Sequence, residues 1–294
     1  MNSLTSPGEQ DRIAEAAASI HTEVNIGRLL LNAGKLQPQD MERVLKLQQE
    51  QNLRFGEAAQ QLGLVSEADI QQALSLQFEY PNLSDDAGLS QELTAAISPH
   101  GKEAEALRSL RSELDLRWFT AGRKTLAIVG ANVDEGSSYL TANLAVLYAQ
   151  MGRKVLVLDA NLRQPRQHEI FNLGRGMGLS DLLAERIPSL QFHSFQPFQG
   201  LHVLPAGSPP PNPAELLARP AFAALLSGLE SNYDYILVDT APSQLGSDFQ
   251  LVAARVGGML IATRRNVSRI NRLEELKKKT TLTGAQIVGA VVLD

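Results

Sequence analysis

Six short apolar runs recur between residues 124 and 294: TLAIVG (125–130), KVLVLD (154–159), LHVLPA (201–206), YILVDT (235–240), GMLIAT (258–263) and IVGAVVL (287–293). Near-continuous apolar runs of this length suit parallel strands covered on both faces. Stretches with helical spacing separate most of them, at 138–151, 220–231 and 268–282. That order predicts an α/β fold, a doubly wound and mostly parallel sheet with helices on both sides. Ligands of such sheets bind beyond the carboxyl ends of the strands.

Two of those ends carry acids. Asp159 closes the second run and Asp239 lies at the end of the fourth. A buried strand that ends in a carboxylate can fix it beside a phosphate-binding loop, where it holds magnesium. Such an acid can also simply cap a helix. The loop after the first run reads Gly130-Ala-Asn-Val-Asp-Glu-Gly136-Ser137-Ser138, with a helix predicted from about Ser138. It stands where backbone N–H groups and a helix N-terminus would face phosphate oxygens. Ser138 can offer its hydroxyl to magnesium. The pattern GxxxxGK[ST] is not met: Ser137 stands at the lysine position, and Asp134-Glu135 places two acids in the loop.

The first hundred residues contain a repeat with an offset of 29. NIGRLLLNAGKLQPQDMERVLKLQ (25–48) aligns with RFGEAAQQLGLVSEADIQQALSLQ (54–77), pairing Gly27 with Gly56, Gly34 with Gly63, Leu36 with Val65, Met41 with Ile70, and Gln48 with Gln77. Each unit predicts a short helix, a glycine that can end it, and a second helix started near Pro38 or Ser66. One face is apolar, so two such hairpins can cover one another. By periodicity alone this is a small helical bundle. Residues 81–101 carry turn formers without a strong period. The domains expected are a flexible tail (1–22), a helical repeat domain (23–82), a linker (83–101) and an α/β domain (102–294).

Charge divides along the same line. Residues 1–100 sum to −8 and the remainder to +3, within a net −5. The absence of cysteine excludes disulfides, thiolate zinc sites and cysteine nucleophiles. The five histidines show no metal-ligand spacing. The polar, acidic first 25 residues do not read as a signal peptide, and no apolar run reaches the roughly 18 residues of a membrane span. A cytoplasmic location is expected. Residues 264–279 hold seven basic and two acidic side chains. A solvated helix face is the favoured reading, and nucleic acid is disfavoured as a partner. Trp118-Phe119 is expected to pack in a core or interface.

Several stretches of residues 103–294 resemble the cytoplasmic domain of bacterial tyrosine kinases (BY-kinases), of the MinD/ParA-type P-loop NTPase group. Glu105, Arg108 and Arg111 match the ExxRxxR helix through which those kinases assemble into rings. EGSSYLTANLA (135–145), VLVLDANLRQP (155–165), LPAGSPPPNPAELL (204–217) and YILVDTAP (235–242), with Asp248 beyond, follow in the family's order. The layout is closest to the EpsG type, which accompanies a membrane chain-length determinant in exopolysaccharide operons. The resemblance implies ATP and Mg²⁺ as ligands, with Asn132, Val133, Asp134, Glu135, Gly136, Ser137, Ser138 and Tyr139 around the nucleotide. It implies that Ser138, Asp159 and Asp239 serve magnesium, that Asp159 is alternatively the base for a tyrosine hydroxyl, and that Arg163 holds the second Walker segment. It also implies a homo-oligomeric ring, peripheral to the inner membrane through the chain-length determinant. The repeat resembles the N-terminal domain of type II secretion and type IV pilus ATPases, where a doubled motif binds cyclic di-GMP. Gly27, Gly34, Gln48, Arg54, Gly56, Gly63 and Gln77 match it, while Asn25 stands where the first copy would have arginine. A protein-docking role is the reading preferred over that ligand.

The departures bear on activity. Ser137 removes a positive charge from the phosphate loop, Asn161 replaces the second acid of DxDxR, and the chain shows no tyrosine-rich tail, its tyrosines being 80, 139, 148, 233 and 235. Arg108 or Arg111 of a neighbouring chain is the first candidate to compensate. Three readings follow: an ATP-dependent tyrosine kinase regulating exopolysaccharide polymerisation and export, a catalytically degenerate nucleotide-binding scaffold, and a MinD/ParA-type positioning ATPase.

Overall fold

A computed structural model describes residues 26–31, 33–51, 53–70, 73, 89–189, 191–195 and 198–294. The chain divides into two compact units, Met1–Asn82 and Leu83–Asp294. The expected tail, 1–22, lies outside the described residues.

In the first unit, residues 26–31 are helical and are followed by α1 (Pro38–Gln51), α2 (Phe55–Gln61) and a helical turn over 67–70. The repeat is geometric as well as sequential. Gly34 and Gly63 both have φ +67°, a left-handed geometry that glycine adopts without a Cβ penalty, and both end a helix. The next turn repeats too: the Gln37 N–H donates to Asp40 Oδ2 at 3.0 Å, and the Ser66 N–H to Asp69 Oδ2 at 2.9 Å. A Cβ on Gly27 would lie 2.9 Å from Met41 Cε, and one on Gly56 would lie 3.2 Å from Ile70 Cδ1. Met41 and Ile70 are themselves repeat partners, so each glycine admits the same neighbour in its own copy. Leu30, Leu36, Val44, Phe55, Ala58 and Val65 form the shared core. Lys35 Nζ joins the copies at 2.8 Å from Asp69 Oδ1.

The second unit carries a seven-stranded sheet: β1 (Thr125–Gly130), β2 (Val155–Ala160), β3 (His193–Ser194), β4 (Leu201–Leu204), β5 (Tyr235–Thr240), β6 (Gly258–Arg264) and β7 (Gln286–Leu293), in spatial order β3-β4-β2-β5-β1-β6-β7. All neighbours are parallel except β3 against β4. The six predicted runs each became a strand. The two-residue edge strand was not predicted, because it is too short to carry a period. Strand residues alternate between two cores: Leu126, Ile128, Val155 and Val157 face one, and Ala127, Val129, Leu156 and Leu158 face the other. Coverage on both faces explains why the runs are continuously apolar.

The helices that matter for the site are α3 (Thr94–Ile97), α4 (Lys102–Arg117), α5 (Ser137–Ala149), α6 (Gln167–Ile170), α7 (Leu179–Leu183), α8 (Pro213–Ala218), α9 (Pro220–Glu230), α10 (Asp248–Val256) and α11 (Ile270–Thr281). Residues 89–101 do not behave as the expected linker. Leu93, Ala95 and Ala96 are buried in the core beside α5. Asn143 of α5 accepts the Ala95 N–H at 2.9 Å and donates to the Glu92 carbonyl at 2.8 Å, and Gln150 donates to the Ala95 carbonyl at 2.9 Å. Turn-forming composition hid this, since the partners are side chains some fifty residues away.

Trp118 and Phe119 pack as expected. The Trp118 ring fills the space above Gly258, whose Cβ would stand 2.1 Å from Cζ2, and the indole N–H donates to the Thr125 carbonyl at 2.9 Å. Phe119 meets the edge of Tyr148, which stacks on Tyr235 with centroids 3.9 Å apart.

Candidate nucleotide site

The loop leaving β1 reaches α5 through two left-handed residues, Asp134 (φ 64°) and Gly136 (φ 83°). Its acidic pair splits. Asp134 is exposed, whereas Glu135 is almost fully buried and folds back into the loop. Glu135 Oε2 accepts the N–H groups of Ala131 (2.6 Å) and Asn132 (2.9 Å), and Oε1 accepts the Asn132 amide (2.7 Å) and the Ser268 hydroxyl (2.6 Å). The Glu135 side chain therefore braces the loop instead of facing a ligand, which corrects its place in the expected contact set, while Asn132 both donates to Glu135 and lines the cavity. Glu135 also ties the loop to Ser268, beyond β6.

Ser137 and Ser138 open α5, where the first N–H groups lack intrahelical acceptors. Behind them lie Asp159 and Asp239, directly opposite each other on β2 and β5 and both fully buried. Asp159 accepts the N–H groups of Asn161 and Gln167, each at 3.1 Å. Asp239 Oδ2 accepts the Gln167 side-chain amide at 2.8 Å, while its Oδ1 has no partner. Burial pushes the Asp159 carboxyl well above the usual carboxylate range, and the neighbouring Asp239 charge adds to the shift. Burial likewise raises Asp239 to about 6, against the opposing pull of Ser138 and Gln167.

Two buried acids without a cation are costly. Among the described residues no cluster of three or more His, Asp or Glu side chains gathers around a metal position. A two-acid site with an adjacent hydroxyl fits magnesium, which takes one or two carboxylates and completes its shell with water and phosphate. The orphaned Asp239 Oδ1 is the observation that favours it. Magnesium and a nucleotide therefore fit the residues present.

Gln167 was not picked out from the sequence. It is fully buried and its amide bridges the Ser138 carbonyl (3.1 Å) and Asp239. Its position, eight residues after Asp159, carries no local signal. Asn161, which stands in place of the second acid of DxDxR, closes a turn: Oδ1 accepts the Gln164 N–H at 3.0 Å and Nδ2 donates to the Gln164 carbonyl at 2.7 Å. Arg163, expected to hold the second Walker segment in place, is turned toward Asp248. Its Nε and Nη2 donate to the two carboxylate oxygens at 2.5 and 3.0 Å. This fork joins the loop after β2 to the start of α10, so Arg163 is a positioning residue.

The loop borders a cavity of about 970 Å³ lined by Asn132–Asp134 and Gly136–Tyr139, by the first turns of α4, and by the end of β7. Asp159 and Asp239 lie behind Ser138, outside that lining. Tyr139 is committed within the wall, its hydroxyl meeting Thr94 Oγ1 at 2.6 Å and Glu103 at 2.8 Å. On α4, Arg108 pairs with Glu105 at 2.9 Å and donates to the Pro99 carbonyl, and Arg111 donates to the Leu147 carbonyl at 3.3 Å. Both arginines thus anchor α4 within their own unit. In the first unit, Gly27, Gly34, Gly56 and Gly63 are accounted for by packing and helix ends. Arg54 is exposed and precedes α2, Gln48 lies on α1, and Gln77 falls outside the described residues.

A parallel sheet whose first strand runs through such a loop into a helix, backed by two strand-end acids, defines a P-loop nucleotide-binding domain. The septum-site-determining protein MinD of Pyrococcus horikoshii shares the fold, with a TM-score of 0.50 at 22% identity over 58% of this chain and 70% of its own. No family model matches the chain. CapB of Staphylococcus aureus, which carries the name of a tyrosine-protein kinase, is 33% identical over 194 residues, 66% of this chain and 85% of CapB. The tyrosine-protein kinase Etk of Escherichia coli is 31% identical over 198 residues, 67% of this chain but only 27% of Etk. The solved kinase domain of Etk superposes with a TM-score of 0.65, covering 68% of this chain and 78% of that domain. The chain belongs to the bacterial tyrosine-protein kinase (BY-kinase) family. Among the described residues no helix is long and apolar enough to cross a membrane.

Proposed function

We propose that the second unit binds ATP with magnesium and transfers the terminal phosphoryl group to a tyrosine of another protein, and that it regulates exopolysaccharide polymerisation and export with a membrane chain-length determinant. The observation that carries this reading is the in-register, buried pair Asp159 and Asp239 behind the loop of β1. Magnesium, when bound, neutralises charge that builds on the phosphoryl oxygens. Ser138, Asp159 and Asp239 hold it. The N–H donors of Asn161 and Gln167 fix Asp159 in place, and Gln167 holds Asp239 against Ser138. The loop amides and the start of α5 orient the phosphates. The nucleotide's β–γ bridge breaks as the tyrosine oxygen bonds to phosphorus, the hydroxyl proton passes to a base, for which Asp159 is the candidate, and ADP leaves.

Ser137 favours a second reading, a nucleotide-binding scaffold with little transfer. Glu105, Arg108 and Arg111 are proposed to line contacts between copies in a ring, and the first unit is proposed as a docking module. Glycine roles explained by packing favour docking over cyclic di-GMP there.

The test uses the full chain with the cytoplasmic tail of a chain-length determinant. ATP binding is measured by calorimetry and transfer by phosphotyrosine detection. Phosphotyrosine that disappears in Asp159→Asn supports the kinase. ATP binding without phosphotyrosine, with transfer appearing in Ser137→Lys, supports the scaffold. No ATP binding sinks both. Salt-sensitive DNA binding lost on substituting Lys277–Lys279 would support a positioning ATPase instead. Titration of the full chain with cyclic di-GMP to ~100 μM settles that ligand, since no heat at that level leaves only weak affinity.

A further inference from the structure

We propose that Lys102, at the start of α4, supplies to the phosphates the positive charge that Ser137 cannot. This rests on the nucleotide-binding reading above. Three cationic side chains line the cavity: Lys102, Arg166 and Arg264. The other two already have partners, Arg166 with two acids and Arg264 with backbone carbonyls, one of them in the phosphate loop. Arg166 Nη2 lies 2.5 Å from Glu92 Oε1 and its Nε lies 3.5 Å from Glu169. Arg264 donates to the carbonyls of Asp134 (3.2 Å) and Asp294 (3.4 Å). Among the described residues Lys102 makes no hydrogen bond and no ion pair.

Its place in the fold is fixed from the next residue. Glu103 accepts the Tyr139 hydroxyl at 2.8 Å, and Tyr139 follows Ser138 in the first turn of α5. Thr94 meets the same hydroxyl at 2.6 Å. The first turn of α4 is thereby held against the helix that carries the phosphate loop, and the exposed Lys102 lines the same cavity as Ser137 and Ser138. Helix electrostatics do not account for a cation there. The N-terminal end of a helix carries partial positive charge and favours acids, and Glu103 and Glu105 already occupy that turn. A lysine is a compact point charge on a flexible four-carbon stem. It can meet phosphate from a new backbone position, since it does not need the fixed fork of an arginine. The charge would then come from the helix that precedes β1 instead of from the loop itself.

The test is calorimetric titration of the full chain with MgATP and, separately, with adenosine. Wild type is expected to bind MgATP, and Lys102→Ala to weaken it about tenfold or more, in line with loss of one hydrogen bond to a charged group. Adenosine binding should stay unchanged, as should MgATP binding in the control Lys278→Ala. Ser137→Lys should raise MgATP affinity more in the Lys102→Ala background than in wild type, a coupling that a merely structural role for Lys102 would not produce. Lys102→Gln is the second variant, with circular dichroism checking that both fold. MgATP affinity unchanged in both variants overturns the proposal while leaving the nucleotide site standing. Equal losses for MgATP and adenosine also overturn it. No MgATP binding by the wild type overturns the nucleotide site and this inference together.

Discussion

Asp159 and Asp239 stand directly opposite each other on adjacent parallel strands, both fully buried, with Gln167 touching both. An acid whose carboxyl is raised in the folded state adds stability below its unfolded value, near 3.8, and that stability is lost as pH rises through the folded value. For Asp239 the folded value is about 6. In the presence of EDTA the second unit should lose stability between about pH 4 and pH 7. Asp239→Asn should remove the share of that slope that belongs to Asp239, leave the part due to the burial of Asp159, and raise stability at pH 8. Urea denaturation across pH reads the effect, and an unchanged slope in the variant would refute it. Added Mg²⁺ should stabilise wild type at pH 8 and the variant much less.

Arg163→Ala leaves Asp248 buried at the start of α10 without its fork. The Arg163 side chain is partly exposed, so the cost is discounted to about 1–3 kcal/mol. Arg163→Lys should recover only part of it, because an ammonium cannot meet both oxygens at once. Equal denaturation midpoints for the alanine variant and wild type would contradict a positioning role.

Gly258→Ala drives a methyl group into the Trp118 ring. Trp118 is buried, with its N–H held by the Thr125 carbonyl and the Arg123 guanidinium over its ring, so a loss of roughly 3 kcal/mol is expected. Trp118 is the only tryptophan. Its fluorescence should shift to the red and its unfolding midpoint should fall. An unchanged emission maximum would show that the ring has room.

None of the described tyrosines is exposed. Tyr148 and Tyr233 are buried, Tyr235 stacks on Tyr148, and Tyr139 is held by Thr94 and Glu103. Folded protein incubated with MgATP should therefore show no phosphate on these four residues by mass spectrometry, with any phosphotyrosine falling on Tyr80 or on a partner. Stoichiometric modification of Tyr148 in folded protein would require the core to open.

The strands were legible because burial on both faces leaves a mark in the sequence itself, an uninterrupted apolar run, and the strand-end acids stood out against it. The glycine repeat was legible for the same reason: Gly34 and Gly63 each end a helix locally, and an offset of 29 needs no fold to be seen. Ser137 in place of lysine could also be read directly. What the sequence could not contain was distance. Only the tertiary structure set Asp159 against Asp239 in register, folded Glu135 inward, turned Arg163 toward Asp248 and fastened residues 92–95 to α5. Those pairings join residues between 3 and 133 positions apart, through contacts that leave no periodicity behind. The same holds for Lys102. In sequence it lies well before the phosphate loop, and only the packing of α4 against α5 brings it to the cavity where a charge is missing.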